Sequence, residues 1–168
     1  IGEISGPIRD FDAVLMRVDP PVDREYLHAT HLLDLAAKDT LVLNNPRGIR
    51  FANEKAYALH FPDLTPYTRL SSSPKQVRAW LDEEDKPLIV KPVDGHGGNG
   101  VFLLEKGDRN IGSILESLTE DGRRMIVVQQ YLESARAGDK RVIMIDGEPK
   151  GAILRVPRAD DHRGNIHV

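Results

Sequence analysis

KPLIVKPVDGHGGNGVFLLE, residues 86–105, sets one lysine in an apolar strand, follows it with a glycine-dense loop and returns as a second apolar run. Gly95, Gly97, Gly98 and Gly100 free the backbone to curl around an anion and turn its N–H groups inward. Lys91 follows Leu88-Ile89-Val90, where a charge is costly unless it meets an opposite one. Polyphosphate fits both features, so the segment reads as a nucleotide clamp. The plainer alternative is an ordinary glycine hairpin with a half-exposed lysine.

Gly95, Gly97 and Gly100 satisfy the G-x-G-x-x-G spacing, but a dinucleotide fingerprint needs a helix directly after the loop. Here Val101-Phe102-Leu103-Leu104 follows, a β-like run, and Asn99-Gly100-Val101 lacks the Gly-Lys-Ser/Thr ending of a P-loop. Strand, glycine loop, strand is the layout of a flexible hairpin laid over ATP phosphates.

Outward from this hairpin, the apolar pattern predicts alternating strands and helices. Ala13–Met16 and Thr40–Leu43 read as short strands flanking a helix over about 23–38, with Tyr26, Ala29, Leu33 and Ala36 on one face. Pro20 and Pro21 stop the first strand, and Asn44-Asn45-Pro46 breaks the second. A short helix over about 53–61 takes Asn53 as N-cap and carries Lys55 in its first turn. Pro62, Pro66 and the Ser71–Ser73 run read as a connection. Ser73-Pro74-Lys75-Gln76 is a capping box opening a helix with Val77, Trp80 and Leu81 inward. Ile111, Ile114, Leu115 and Leu118 mark another helix, and Met125–Val128, Val142–Ile145 and Ile153–Val156 are apolar strands.

Ile126-Val127-Val128 begins as a buried strand and turns polar at Gln129-Gln130-Tyr131-Leu132, an edge that suits a flat base. Arg141 and Arg155 sit beside apolar strands and fit a carboxylate or phosphate; a surface salt bridge is the ordinary alternative for each. His28 and His31 have helical i, i+3 spacing without a third ligand, whereas His96 lies inside the glycine loop.

The 168 residues, 40% hydrophobic and 29% charged, suit a globular protein with an ordinary core. A net charge of −3 offers no electrostatic reason to expect nucleic acid. No apolar run approaches the ~20 residues of a membrane span. The absence of cysteine excludes disulfides and thiolate metal sites and fits a reducing compartment.

Several short motifs line up in order: Leu15-Met16-Arg17-x-Asp19-Pro20-Pro21, Asn53-Glu54-Lys55, Asp63-Leu64-Thr65-Pro66 and Lys91-Pro92-x-Asp94-Gly95-x-Gly97-Gly98. Gln129-x-Tyr131-Leu132, Gly138-Asp139-Lys140-Arg141, Asp146-Gly147-Glu148-Pro149, Arg155-x-Pro157 and Arg163-Gly164-Asn165 continue the series. From about residue 11 to the end, the chain resembles the bacterial glutathione synthetases of the ATP-grasp superfamily. The resemblance implies an α/β (α+β) ATP-grasp fold. Residues 1–50 would close an N-terminal substrate domain, 51–128 form the central lid domain, and 129–168 begin a truncated C-terminal domain.

It also implies ATP between two lobes, with Lys55 and Lys91 near its phosphates and Gly95, His96, Gly97, Gly98, Asn99 and Gly100 as a moving cover. His96 and Asn99 are loop positions that need not match other members. Gln129, Gln130, Tyr131 and Leu132 would meet adenine, and Asp139 the nucleotide sugar. Arg141, Arg155 and Arg163 match positions at the peptide substrate and the reacting phosphoryl group. The implied reaction joins γ-glutamylcysteine to glycine through an acyl-phosphate. It uses Mg2+ or Mn2+ whose ligands are expected beyond residue 168, in a cytoplasmic homo-oligomer that binds neither nucleic acid nor membrane. A chain that starts at Ile1 and stops after a loop-like stretch is expected to be a fragment, inactive as a ligase by itself. A ligase for another amino acid and a non-catalytic nucleotide-binding module are the competing readings. A glycine-rich continuation followed by a Glu-x-Asn pair would favour the ligase reading.

Overall fold

A computed structural model describes residues 5–19 and 21–157. Along the chain run β1 (Ala13–Leu15), α1 (Arg24–Ala36), β2 (Leu41–Leu43), α2 (Pro46–Phe51), β3 (Thr68–Ser71), α3 (Pro74–Glu83) and β4 (Leu88–Pro92). They continue with β5 (Phe102–Leu104), α4 (Ile111–Thr119), β6 (Ile126–Gln130), β7 (Asp139–Ile145) and β8 (Glu148–Arg155).

The first part is a parallel pair, β1 on β2, joined by α1. Asp23 caps α1 by accepting the Tyr26 N–H at 2.9 Å. Tyr26, Ala29, Leu33 and Ala36 are partly shielded as their spacing predicts, whereas Leu32 and Leu35 are 68% and 66% exposed. The strand ends well before the prolines expected to stop it, and Pro20 lies outside the described residues. The break at Asn44-Asn45-Pro46 is more than a break. Asn45 accepts the N–H groups of Arg47 and Gly48 at 2.9 and 3.2 Å and Pro46 takes the first helical position, so α2 starts there. Arg47 and Arg50 of α2 both reach Asp34 of α1, and Arg50 also donates to the buried Thr30 hydroxyl.

The second part is a four-stranded antiparallel sheet in the order β3-β6-β4-β5. Period-two alternation divides its faces. Leu88, Val90, Leu104, Ile126 and Val128 meet Val77 and Leu81 of α3 and Ile111, Leu115 and Leu118 of α4 in one core. Each fully buried aliphatic there contributes about 1.5–3 kcal/mol. The alternate positions, Thr68, Ile89, Lys91, Val127 and Gln129, belong to the other face. Lys91 therefore points away from the core that its sequence neighbours build.

The sequence pattern missed β3, which it had as part of a connection. Arg69 hides the strand's apolar signal. Its guanidinium lies over the rings of Tyr67 and Trp80, 4.4 and 4.8 Å from their centroids, and pairs with Glu84 at 3.5 Å. The expected capping box is also rewired. Ser73 accepts the Gln76 N–H, but Gln76 Oε1 accepts the Ser71 hydroxyl, tying α3 to the end of β3. β6 runs to Gln130, so the sheet takes in Gln129 and Gln130, which the expected boundary at 128/129 assigns to the next domain.

The helix expected over 53–61 shrinks to a 3-10 turn, Ala56–His60. Asn53 does cap, accepting the N–H groups of Lys55 and Ala56 at 3.1 and 3.0 Å. Lys55 is then the residue before the turn rather than part of a helical first turn. β7 and β8 form a hairpin through Asp146-Gly147, both with positive φ (52° and 78°), the conformation of a tight primed turn.

Candidate nucleotide-binding site

β4 delivers Lys91 and the root of the glycine loop, the 53–60 segment delivers Lys55, and the end of β6 delivers residues 129–132. These border a cleft of about 330 Å³. Its lining includes Lys55, Lys91, Gly95, His96, Gly97, Gly98, Asn99, Gln129, Gln130, Tyr131, Leu132 and Asp139. Gly100 is not in the lining; it is the packed foot of the loop, with φ +69° and Pro92 and Leu118 against its α-carbon. Gly97, at the open end, has φ +63° and nothing within 4 Å of where a Cβ would stand.

The two lysines face each other's field, with Glu54 on the same cleft. Among the described residues no carboxylate forms a salt bridge with either. Lys55 Nζ donates to the carbonyls of Val93 and Gly95, so it holds the root of the glycine loop. Lys91 Nζ donates to Gln129 Oε1 at 2.6 Å. Burial lowers the pKa of Lys91, and the positive charge of Lys55 lowers it further, against a smaller opposing pull from Glu54. Burial also lowers that of Lys55, offset in part by Glu54 and Asp94. An anion between them would relieve both penalties.

Across the cleft, the strand end offers hydrogen bonds suited to a base. The N–H groups of Gln130 and Tyr131 are engaged by the carbonyls of Tyr67 and Pro87 at 3.0 and 2.9 Å. Leu132 N–H has no partner among the described residues and sits on the rim, the residue 45% exposed. Ile89 and Pro66 add apolar walls, and Ala135 closes the end beside Asp139. Sequence reading missed these three. Ile89 was legible, because it lies two residues from Lys91 on the same strand face.

Arg141 and Arg155 do not line the cleft. Arg155 stands opposite Asp139 in the β7–β8 register, and Arg141 lies two residues along on the same hairpin face. Arg155 grips Asp139 through both Nε (2.8 Å to Oδ1) and Nη2 (to Oδ2). Asp139 is therefore both at the cleft and bound to a candidate substrate arginine. Arg163 lies outside the described residues. No group of three or more His, Cys, Asp or Glu positioned for a metal occurs among the described residues, so they do not by themselves fit the divalent ion expected with ATP. No helix among them is long and apolar enough to cross a membrane.

Comparison with known proteins agrees along the chain. The profile of the prokaryotic glutathione synthetase N-terminal domain matches residues 3–50, and that of the prokaryotic glutathione synthetase ATP-grasp domain matches residues 54–168. A glutathione synthetase of Gloeobacter violaceus is 48% identical over 166 residues, covering 95% of this chain and 51% of that protein. One of Brucella melitensis is 45% identical over 161 residues, covering 96% and 51%. The chain spans about half the length of these curated relatives. Among solved structures, the D-cycloserine synthetase DcsG superposes with a TM-score of 0.70 at 19% identity, covering 92% of this chain and 55% of that one. A RimK domain ATP-grasp protein from Sphaerobacter thermophilus gives 0.63 at 23% identity, covering 88% and 56%. At such identities the likeness speaks for the fold, and the fold is ATP-grasp. With a lysine-paired cleft under a glycine loop, and both domain profiles matched in order, the chain belongs to the prokaryotic glutathione synthetase family.

Proposed function

We propose that the cleft holds ATP and that the full-length protein is an ATP-dependent ligase joining γ-glutamylcysteine to glycine. The observation that carries this reading is the convergence of two cations that form no salt bridge among the described residues, a glycine loop and an unengaged strand-end N–H on one cleft. Lys55 and Lys91 would neutralise the phosphates, the loop would cover them, and Leu132 N–H would meet adenine beside Tyr131. In this division residues 51–128 act as the lid and 129–168 begin the opposing domain.

A carboxylate oxygen of γ-glutamylcysteine attacks the γ-phosphorus, the bond to the β-phosphate bridging oxygen breaks, and ADP leaves. The glycine amine then attacks the acyl carbon, loses a proton, and phosphate departs. The chain supplies positioning and charge rather than a nucleophile. Arg155, oriented by Asp139, keeps Nη1 for a substrate oxygen, and Arg141 lies alongside on the same face. A divalent ion, held by ligands other than the described residues, would supply further charge neutralisation to the nucleotide.

The test uses the full-length protein with ATP, Mg2+, γ-glutamylcysteine and glycine. Stoichiometric ADP, phosphate and glutathione are expected. Turnover only with another amine or carboxylate would make it a related ligase. ATP binding without ADP release under any pairing would leave a nucleotide-binding module.

The lysines also predict a pH signature. ATP binds their charged forms, and both pKa values lie below the ordinary 10.5 in the free protein. ATP affinity should therefore fall as pH rises through those lowered values, before 10.5 is reached. Over the same window the ligand-free protein should gain stability, because the penalty for two charged, partly buried lysines present at lower pH is removed. Titration calorimetry and denaturation at stepped pH check the two opposite slopes.

A further inference from the structure

Lys91 is held by a chain of hydrogen bonds that begins on the edge strand. Its ammonium donates to Gln129 Oε1 at 2.6 Å, Gln129 Nε2 donates to Thr68 Oγ1 at 2.7 Å, and Thr68 Oγ1 donates to the Pro66 carbonyl at 2.6 Å. The direction of this chain is forced from its far end. A carbonyl only accepts, so the single proton of the Thr68 hydroxyl goes to Pro66. Thr68 can then only accept from Gln129, which must turn its NH2 toward β3 and its oxygen toward Lys91. Were the amide reversed, Gln129 would set a donor against the ammonium. Three residues distant in sequence are thereby aligned across β3, β6 and β4, on the cleft face of the sheet.

We propose that Thr68 is a positioning residue of the nucleotide site, fixing the Gln129 amide so that its oxygen anchors the Lys91 ammonium with its remaining N–H bonds turned to the ligand. Thr68 itself is not in the cleft lining, and the proposal rests on the reading that the cleft takes ATP. The charged groups whose fields reach Lys91 are Lys55 and Glu54 of the 53–60 segment, with Asp94 of the loop acting on Lys55. β6 presents Val127 opposite Lys91 and Gln129 beside it, neither of them ionisable.

The experiment uses Thr68→Val, which keeps the shape and removes the hydroxyl, and Thr68→Ser, which restores it, in the full-length protein. The first readout is the side-chain NMR titration of Lys91, which needs no nucleotide. In Thr68→Val the amide is freed to reverse, the charged ammonium loses its acceptor, and the Lys91 titration is expected to move to lower pH. Thr68→Ser is expected to leave it in place. The second readout is ADP affinity, expected to weaken roughly five-fold in Thr68→Val and to recover in Thr68→Ser. The third is the same valine substitution in a Gln129→Glu background. A carboxylate presents oxygen in either orientation, so Thr68→Val should then leave the Lys91 titration unmoved.

An unmoved Lys91 titration in Thr68→Val with Gln129 intact overturns the proposal, as does an equal movement in the Gln129→Glu background. If the titration moves as expected but the wild-type protein binds no adenine nucleotide, the anchoring of Lys91 stands and the ATP reading of the cleft fails. If wild type binds ADP and Thr68→Val binds it equally well, Thr68 has no role at the nucleotide site and the proposal is overturned.

Discussion

Replacing Lys91 by alanine in the full-length protein should weaken ATP binding at least ~10-fold, about 1.4 kcal/mol, the low end for a lost charge-assisted contact. The expectation follows from where the ammonium is held. Lys91 lies on the cleft face of β4, anchored on one side by Gln129 and unpaired with any carboxylate among the described residues. Its charge is disfavoured by burial and by Lys55 in the free protein, so an incoming phosphate gains more from it than from an exposed lysine. The same reasoning predicts little loss of stability in the ligand-free variant. Truncation removes the bond to Gln129, but it also removes a buried charge and its repulsion with Lys55. A Lys91→Ala protein with unchanged ATP affinity would take Lys91 out of the site. One that is simply unfolded would be recognised by its circular dichroism and would refute the stability half of the expectation.

Gly100→Ala should destabilise the fold by about 2–5 kcal/mol, combining roughly 1–2 for a non-glycine residue at left-handed φ with about 1–3 for overpacking. A Cβ on Gly100 would come within 2.9 Å of Pro92 Cγ, 3.1 Å of Pro92 Cδ and 3.4 Å of Leu118 Cδ2. The two nearest atoms belong to a proline ring rather than to the end of a flexible side chain. Pro92 is the buried last residue of β4, its ring closed on its own backbone, and Leu118 is part of the core. Gly97→Ala supplies the control. It has a similar φ of +63° but open space around it, so only the backbone cost of about 1–2 kcal/mol applies. Urea denaturation of the two variants separates the terms, and Gly100→Ala costing no more than Gly97→Ala would show that the foot of the loop is not packed as described.

These two glycines show why a motif is only part of a site. Both are equally visible as letters in residues 95–100, yet one is pinned against the core and the other stands open at the mouth of the cleft. The difference depends first on the Pro92 ring, which the fold of the loop brings against Gly100, and then on Leu118, a helix residue whose distance from the loop no local pattern reports.

The sequence by itself determined what short-range physics controls. Apolar spacing and a serine cap specified α3, four aliphatics at helical spacing specified α4, and glycines between two apolar runs specified the β4–loop–β5 hairpin with Lys91 at its root. Each depends on neighbours within one or two turns of chain, so each is legible locally. Only the tertiary structure decided that Thr68-Arg69-Leu70-Ser71 is a strand. Its hydrogen bonds come from β6, and the contact between Gln129 and Thr68 spans 61 residues. The same holds for Lys55, which reaches the cleft without the expected helix, through carbonyls of the glycine loop up to 40 residues away. It holds for Arg155 too, whose guanidinium closes on Asp139 because hairpin register sets them opposite one another. Side chains such as Arg69, Lys55 and Arg155 carry no apolar period, and their places follow from which backbone or carboxylate the folded sheet brings within hydrogen-bonding reach.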